Sequence, residues 1–453
     1  MLKINGLVAC LLGSVCLLAA CSDETQPTTT QNPPPDTVAS LSDEELFDKV
    51  HEQTFKYFYD YAEPTSGVAR ERFHADNVYP QDDKHIVTSG GGGFGVMALL
   101  VGIERGWISR QEGYDRLRLI VDFLTSADRF HGAWPHWMNG ETGEVKPFSA
   151  KDNGGDLVET SFMIQGLLCV RQYFKDGDEQ EQKLAADIDT LWREVEWDWY
   201  RRDGQNVLYW HWSPNFGWDM NFALTGYNEC LITYVLAASS PTHGIPAEVY
   251  HEGWARGGSI VNPVKAYGYR LDLDHNGSAA YGGPLFWAHY SYLGLDPRNL
   301  KDRYTDYWEH NTNQTLINHE WCVENPNNYE GYGEDNWGLT ASYSVNGYAG
   351  HRPGNDLGVI TPTAALSSMP YTPDESMAAM RYFHDSLGSR IWGVAGFYDA
   401  FSEEKNFYPK RYLAIDQGPI VVMMENHRTG LLWDLFMSCP EVQEGLDKLD
   451  FTY

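Results

Sequence analysis

The chain has 453 residues, with 63 Asp and Glu against 33 Lys and Arg and a formal charge of −30. That field repels nucleic acid, anionic lipid and strongly acidic polysaccharide, so none of these is the expected ligand. Aromatic residues make up 14% of the chain, including 16 Trp and 28 Tyr, and many fall in loop-like stretches, which suits a cleft for an uncharged ligand with flat faces.

The first twenty residues read as an export signal. Lys3 precedes an apolar run from Leu7 to Ala20 that is too short for a comfortable transmembrane span and ends in small residues. Leu18-Ala19-Ala20-Cys21 resembles a bacterial lipobox, which implies cleavage before Cys21, a lipid anchor on that cysteine and the outer membrane as a partner. Gln26 to Pro35 lacks core-forming side chains, and residues 21–40 read as a disordered, Pro- and Thr-rich tether. No linker interrupts the rest, so 41–453 is read as one domain. Cys169, Cys230, Cys322 and Cys439 stand singly, without Cys-x-x-Cys pairs, and read as buried thiols.

The periodic segments after the tether are mostly helical. Ser42-Asp43-Glu44-Glu45 and Ser109-Arg110-Gln111-Glu112 have capping-box spacing ahead of amphipathic stretches, and Thr372-Pro373-Asp374-Glu375 is a third such start. Between them lie segments apolar nearly all round: Phe94–Arg105, Leu157–Tyr173, Phe222–Ala238, Thr361–Ser368 and Pro419–Met437. Such helices belong inside. Amphipathic helices alternating with buried ones over about four hundred residues predict an all-α double ring, an (α/α)6 toroid, with its site where glycine-acid loops enter the inner helices.

The most informative loop is Lys151-Asp152-Asn153-Gly154-Gly155-Asp156, which runs into the helix beginning near Leu157. Asp156 reads as that helix's N-cap, and Glu159 in its first turn is a buried acid that needs a partner or a function. Trp134, His136 and Trp137 lie twenty residues upstream and bring rings near the acids, a pairing that suggests carbohydrate chemistry. Arg70-Glu71-Arg72, Trp210, Trp212, Trp218 and Tyr332 are further subsite candidates, and Glu334 and Asp335 either bind substrate or cap a helix beginning near Trp337. Asp272-Leu273-Asp274-His275-Asn276-Gly277 starts like a calcium loop but carries Gly283 where a bidentate Glu is required. No metal or organic cofactor is indicated.

Six stretches carry a resemblance. Ser89 to Gly95, Asp152 to Phe162, Tyr227-Asn228-Glu229, Tyr332 to Thr340, Gly396 to Phe401 and Asp416-Gln417-Gly418-Pro419 are together similar to the bacterial glucoamylase-like domain of glycoside hydrolase family 144. The resemblance covers nearly everything after the tether. It implies an inverting hydrolase of β-1,2-glucan or its oligosaccharides, acting endo or releasing sophorose from chain ends. It also implies Asp152, Glu159 and Glu229 as essential acids, with Tyr227, Trp337 and Asp399 in the site. Glu229, expected on an apolar inner helix, reads as general acid; Asp152, expected to stay ionised on a polar loop, or Glu159 reads as base. An α-glucan exo-hydrolase and a non-catalytic glycan-binding lipoprotein are the other readings considered. A binder has no need of the three acids.

Overall fold

A computed structural model describes residues 41–276 and 280–453; the export signal, Cys21 and the tether lie outside the described residues. Ser42–Tyr453 form one compact unit. Inside it, the chain alternates six times between an outer and an inner element. Outer α1 (Asp43–Tyr59) leads to inner α2 (Ser89–Glu104), α3 (Arg110–Ser126) to α4 (Leu157–Phe174), and α5 (Glu179–Arg193) to α6 (Leu231–Ser239). The fourth pair is irregular: one wide turn at Val249–Trp254 outside and two 3-10 turns at Leu285–Ala288 and Tyr290–Tyr292 inside. Outer α7 (Tyr307–Glu324) then leads to inner α8 (Pro362–Leu366), and α9 (Pro373–Asp385), followed by the short α10 (Gly388–Ile391), to inner α11 (Ala414–Arg428). Two last helices, α12 (Leu431–Met437) and α13 (Pro440–Lys448), pack on α4 and α6.

Burial separates the rings as expected. α6 and α8 are buried along their whole length, and α4 exposes only part of Tyr173. α1 and α5 bury one face and show charge on the other. Inner neighbours touch in sequence, α2 with α4, α4 with α6, α6 with Tyr290–Tyr292, and α8 with α11, and α11 returns to α2 to close the ring. Between the fourth and fifth positions the contact is polar: His289 Nε2 and Ser368 Oγ lie 2.9 Å apart.

Short antiparallel pairs dress the end of the ring where the inner elements begin. Arg72–His74 pairs with Arg411–Leu413, Ile86–Thr88 with Trp137–Asn139, Gly155–Asp156 with His211–Trp212, and Ala341–Ser344 with Gly347–Gly350.

Several helix boundaries depart from the sequence reading. Capping boxes form at Ser42 and Ser109, but Thr372 makes no side-chain cap; its hydroxyl instead bonds the Ser368 carbonyl oxygen and Ser376 Oγ. The segment read as helix from Phe222 starts only at Leu231, since residues 209–223 fold back as an irregular hairpin. The helix read from Pro419 begins at Ala414, keeps Pro419 in its second turn, and breaks at Gly430, whose φ of 77° ends it before α12. No helix begins at Trp337; that residue leads into the strand Ala341–Ser344. The four cysteines of the described domain are free and buried, as expected. No helix among the described residues is long and apolar enough to cross a membrane.

Candidate active site

The inner elements, or the segments leading into them, converge on one cleft of about 660 Å³. Thr88 precedes α2, Glu159 opens α4, Glu229 precedes α6, Phe286 and Tyr290 come from the fourth position, Tyr343 precedes α8, and Leu413 and Ile415 flank the start of α11. The walls are aromatic, from Trp137, Phe148, Trp210, Phe222 and Tyr348, while the carboxylates Glu71, Asp152, Glu159 and Glu229 share them.

Asp156 organises one side. It N-caps α4, accepting from the Glu159 amide at 2.9 Å with Oδ1. Its Oδ2 accepts from His136 Nδ1 at 2.9 Å and Trp210 Nε1 at 2.7 Å, so one buried carboxylate aims two cleft residues and the first turn of α4 together. The cap reading of Asp156 therefore holds, and the residue has a further positioning task. Burial opposes charge on His136, but Glu159 and the bonded Asp156 raise its pKa to about 9, so the imidazole is a cation at neutral pH.

Glu159 finds the partners its burial demands. Its Oε2 accepts from the Gly90 amide at 2.8 Å and Thr88 Oγ1 at 3.1 Å, at the positive end of α2. Burial pushes its pKa up against these bonds and against His136. Close approach of α2 and α4 makes this possible, for a Cβ on Gly90 would lie 2.4 Å from Glu159 Oε2 and one on Gly93 would lie 2.2 Å from the Phe162 carbonyl oxygen. The glycine run is thus a helix-packing device.

Asp152 sits on a loop as predicted, but the loop is folded inward and the side chain is 3% exposed. Burial and the nearby Asp156 push its pKa up to about 7, so it is less firmly ionised than a polar, solvated loop would make it. Gly154 and Gly155 let the strand pass tightly, since a Cβ on either would meet the Trp212 carbonyl oxygen at 2.1 Å or the Tyr200 hydroxyl at 2.2 Å. Asp152 Oδ1 has no hydrogen-bond donor among the described residues; His211 Nε2, 3.3 Å away, accepts from the Gly154 amide at 3.1 Å.

Glu229 lies in the turn before α6, two residues short of the helix that was expected to carry it. The desolvation argued from sequence survives this shift. Burial pushes its pKa up to about 7, with Glu159 and Asp156 adding to the effect against its own amide. Across the cleft, Arg72 bonds Glu71 through Nε and Nη2, pairs with Asp83 at 3.2 Å, and stands 5.6 Å from the Trp137 ring centre.

Of the predicted substrate residues, Glu71, Arg72, His136, Trp137 and Trp210 line the cleft. The others lie elsewhere. Trp134 is core, its Nε1 bonded to the Leu124 carbonyl; Tyr227 is core, bonded to Asn311; Trp337 is core, bonded to the Glu375 carbonyl. Tyr332 bonds Asp356, and the same loop holds Glu334 and Asp335 exposed and away from the cleft. Trp212 and Trp218 stand half-buried outside it. Asp399 supports the wall from behind, accepting from the Tyr343 amide at 2.7 Å; burial pushes its pKa to about 6, and burial together with the neighbouring Asp399 pushes that of Asp416 well up. Phe148, Met220, Phe222, Phe286, Tyr290, Tyr343 and Tyr348 were not found from sequence. For Tyr343 and Tyr348 a signal existed, Asn346-Gly347 between alternating residues, which marks a hairpin.

His136, Asp152 and Asp156 each bring one possible metal-ligand atom within 4.8 Å of the others. His136 Nδ1 and both Asp156 oxygens are already hydrogen-bonded, and a cationic imidazole does not ligate a metal.

Comparison with known proteins gives close relatives. The Glycoamylase family model ("Putative glucoamylase") matches residues 221–440. An endo-β-1,2-glucanase from Chitinophaga pinensis, solved with sophorotriose and glucose, is 69% identical and superposes with a TM-score of 0.91 over 91% of this chain and 99% of that one. The exo β-1,2-glucooligosaccharide sophorohydrolase (non-reducing end) of Parabacteroides distasonis is 46% identical over 430 residues, 91% of this chain, and the match spans 59% of that relative's length. An endo-β-1,2-glucanase of Talaromyces funiculosus, 10% identical with a TM-score of 0.67, shares the fold.

Proposed function

The chain belongs to the glucoamylase-like glycoside hydrolases of family 144, and on that premise we propose that it hydrolyses β-1,2-linked glucan or its oligosaccharides with inversion at the anomeric carbon. The observation that carries the reading is the convergence of Asp152, Glu159 and Glu229 on one aromatic-walled cleft. By their names, the Chitinophaga relative acts endo on β-1,2-glucan and the Parabacteroides relative acts exo on β-1,2-glucooligosaccharides.

Glu229 is assigned general acid. Burial raises its pKa to about 7, so that at neutral pH a substantial share of the molecules holds the proton that the leaving oxygen needs. Asp152 is assigned base rather than Glu159. Glu159 Oε2 is occupied by two donors, whereas Asp152 Oδ1 has none and its carboxylate is free to orient a water. In the step, the water loses a proton to Asp152 as its oxygen bonds the anomeric carbon; the glycosidic C–O bond breaks and Glu229 gives its proton to the departing oxygen. His136 as a cation supports the anionic form of its acidic neighbours. We also propose that Cys21 carries a lipid anchor that holds the enzyme in the cell envelope.

Product analysis on β-1,2-, β-1,3- and α-1,4-glucans tests the substrate, with cleavage expected on the first. Proton NMR of the nascent reducing end tests the mechanism: an α product is expected, and a β product would require a covalent nucleophile instead.

A further inference from the structure

The aromatic stretches 197–200 and 209–218 are only partly used by the cleft. Trp197 is core and Trp210 is cleft wall, but Trp199 and Phe216 are each 40% exposed, with Trp218 half-buried near Trp199. Trp199 is backed by His131, their ring centres 3.7 Å apart and 13° from parallel, and Trp218 stands 6.4 Å from Trp199 at 30°. Packing holds these rings in place, so a ligand meets flat apolar faces that need little further ordering.

The patch is joined to the cleft wall by one hairpin. Residues 209–223 fold back on themselves through bridges at Tyr209–Ala223 and Ser213–Gly217. On the returning arm, Phe222 and Met220 line the cleft, while Trp218 and Phe216, a few residues earlier on the same hairpin, stand outside it, Trp218 packed against Trp199, Tyr200 and Tyr209. Phe222 is 52% exposed and meets Trp210 edge-on at 5.4 Å, so the aromatic wall of the cleft reaches solvent on this hairpin. The same hairpin is tied to the Asp152 loop: Trp212 pairs with Gly155, and Ser213 Oγ donates to Asn153 Oδ1 at 2.5 Å.

We propose that Trp199, Phe216 and Trp218 form an outer extension of the cleft that holds the part of a long glucan chain running beyond it. A neutral glycan is the occupant, because its ring faces stack on indole and phenyl groups, while the ionisable groups Glu196, Asp198 and Asp219 on the flanking segments are already paired with His131, His243 and Lys151. The choice of glucan rests on the substrate reading above. Because the hairpin is fixed to the Asp152 loop, a chain bound there is held in register with the acids.

Trp199→Ala and Phe216→Ala, singly and together, test this, since both side chains are exposed enough to be removed without opening the core; unchanged melting temperatures verify the fold. KM on long β-1,2-glucan is expected to rise about three- to tenfold per ring removed, with kcat and the kinetics on the shortest cleaved oligosaccharide unchanged. Retardation in native gels containing β-1,2-, β-1,3- or α-1,4-glucan gives a second readout that does not need turnover. An equal change on long and short substrates, or double-variant mobility equal to wild type in every gel, overturns the extension. Wild-type protein retarded by a glucan other than the β-1,2 polymer, with retardation lost in the double variant, would support the extension and overturn the substrate assignment.

Discussion

A carboxyl group held above its solution pKa is an anion that the fold disfavours, and Glu229 is such a group. Its folded pKa is about 7, against about 4.3 for an unfolded Glu. The neutral form is the one the fold prefers, so its contribution to stability is complete below pH ~4.3 and is lost as pH rises through 7. Glu229→Gln should accordingly melt above wild type at pH 8 and converge with it at pH 4, while kcat falls by ~10²–10⁴. A variant that melts below wild type at pH 8 would refute the buried-acid account. The same shifts set the pH profile. Activity should fall above pH 7 as Glu229 loses its proton, and below pH 7 as Asp152 gains one, giving a bell in kcat/KM centred near 7. A flat profile between pH 5 and 9 would remove both groups from their roles.

At the scale of elements, the α2–α4 contact separates packing from chemistry. Gly93→Ala drives a methyl into the Phe162 backbone, which cannot yield, and should destabilise by roughly 1–3 kcal/mol or more. Gly90→Ala meets the Glu159 carboxylate, the end of a flexible side chain, and should cost more activity than stability. Melting temperature and kcat measured on both variants check this; identical losses would mean that the glycines serve packing alone. The ring architecture and the acids of the Asp152 loop were legible because apolar segments, glycine loops and caps report locally on what they form. Trp134, Tyr227 and Trp337 were misplaced because an aromatic residue looks the same in sequence whether it faces core or cleft, and only the partner found by its polar atom distinguishes them. Phe222 was lost inside a predicted helix, since an apolar run hides the point where a hairpin ends and α6 begins.

On the scale of the whole molecule, the anchor proposal is independent of the fold. Cys21→Ala should release the protein from the membrane fraction while leaving specific activity unchanged; retention of the variant after alkaline washing would reject lipidation at Cys21. Within the domain, the glycine run of α2 bears on the order in which structure arises. Glycine disfavours helix by about 1 kcal/mol per residue relative to alanine, and four stand in succession from Gly90. The first turns of α2 therefore lack the means to hold themselves helical in an isolated chain and become ordered on docking against α4 and α11, where Glu159, Phe162, Met163 and Ala414 fill the space their missing side chains leave. Gly90 gives Glu159 its amide only after that event. A folding intermediate can thus be rich in helix and still have no hydrolytic centre, and recovery of activity during refolding should trail recovery of helical signal.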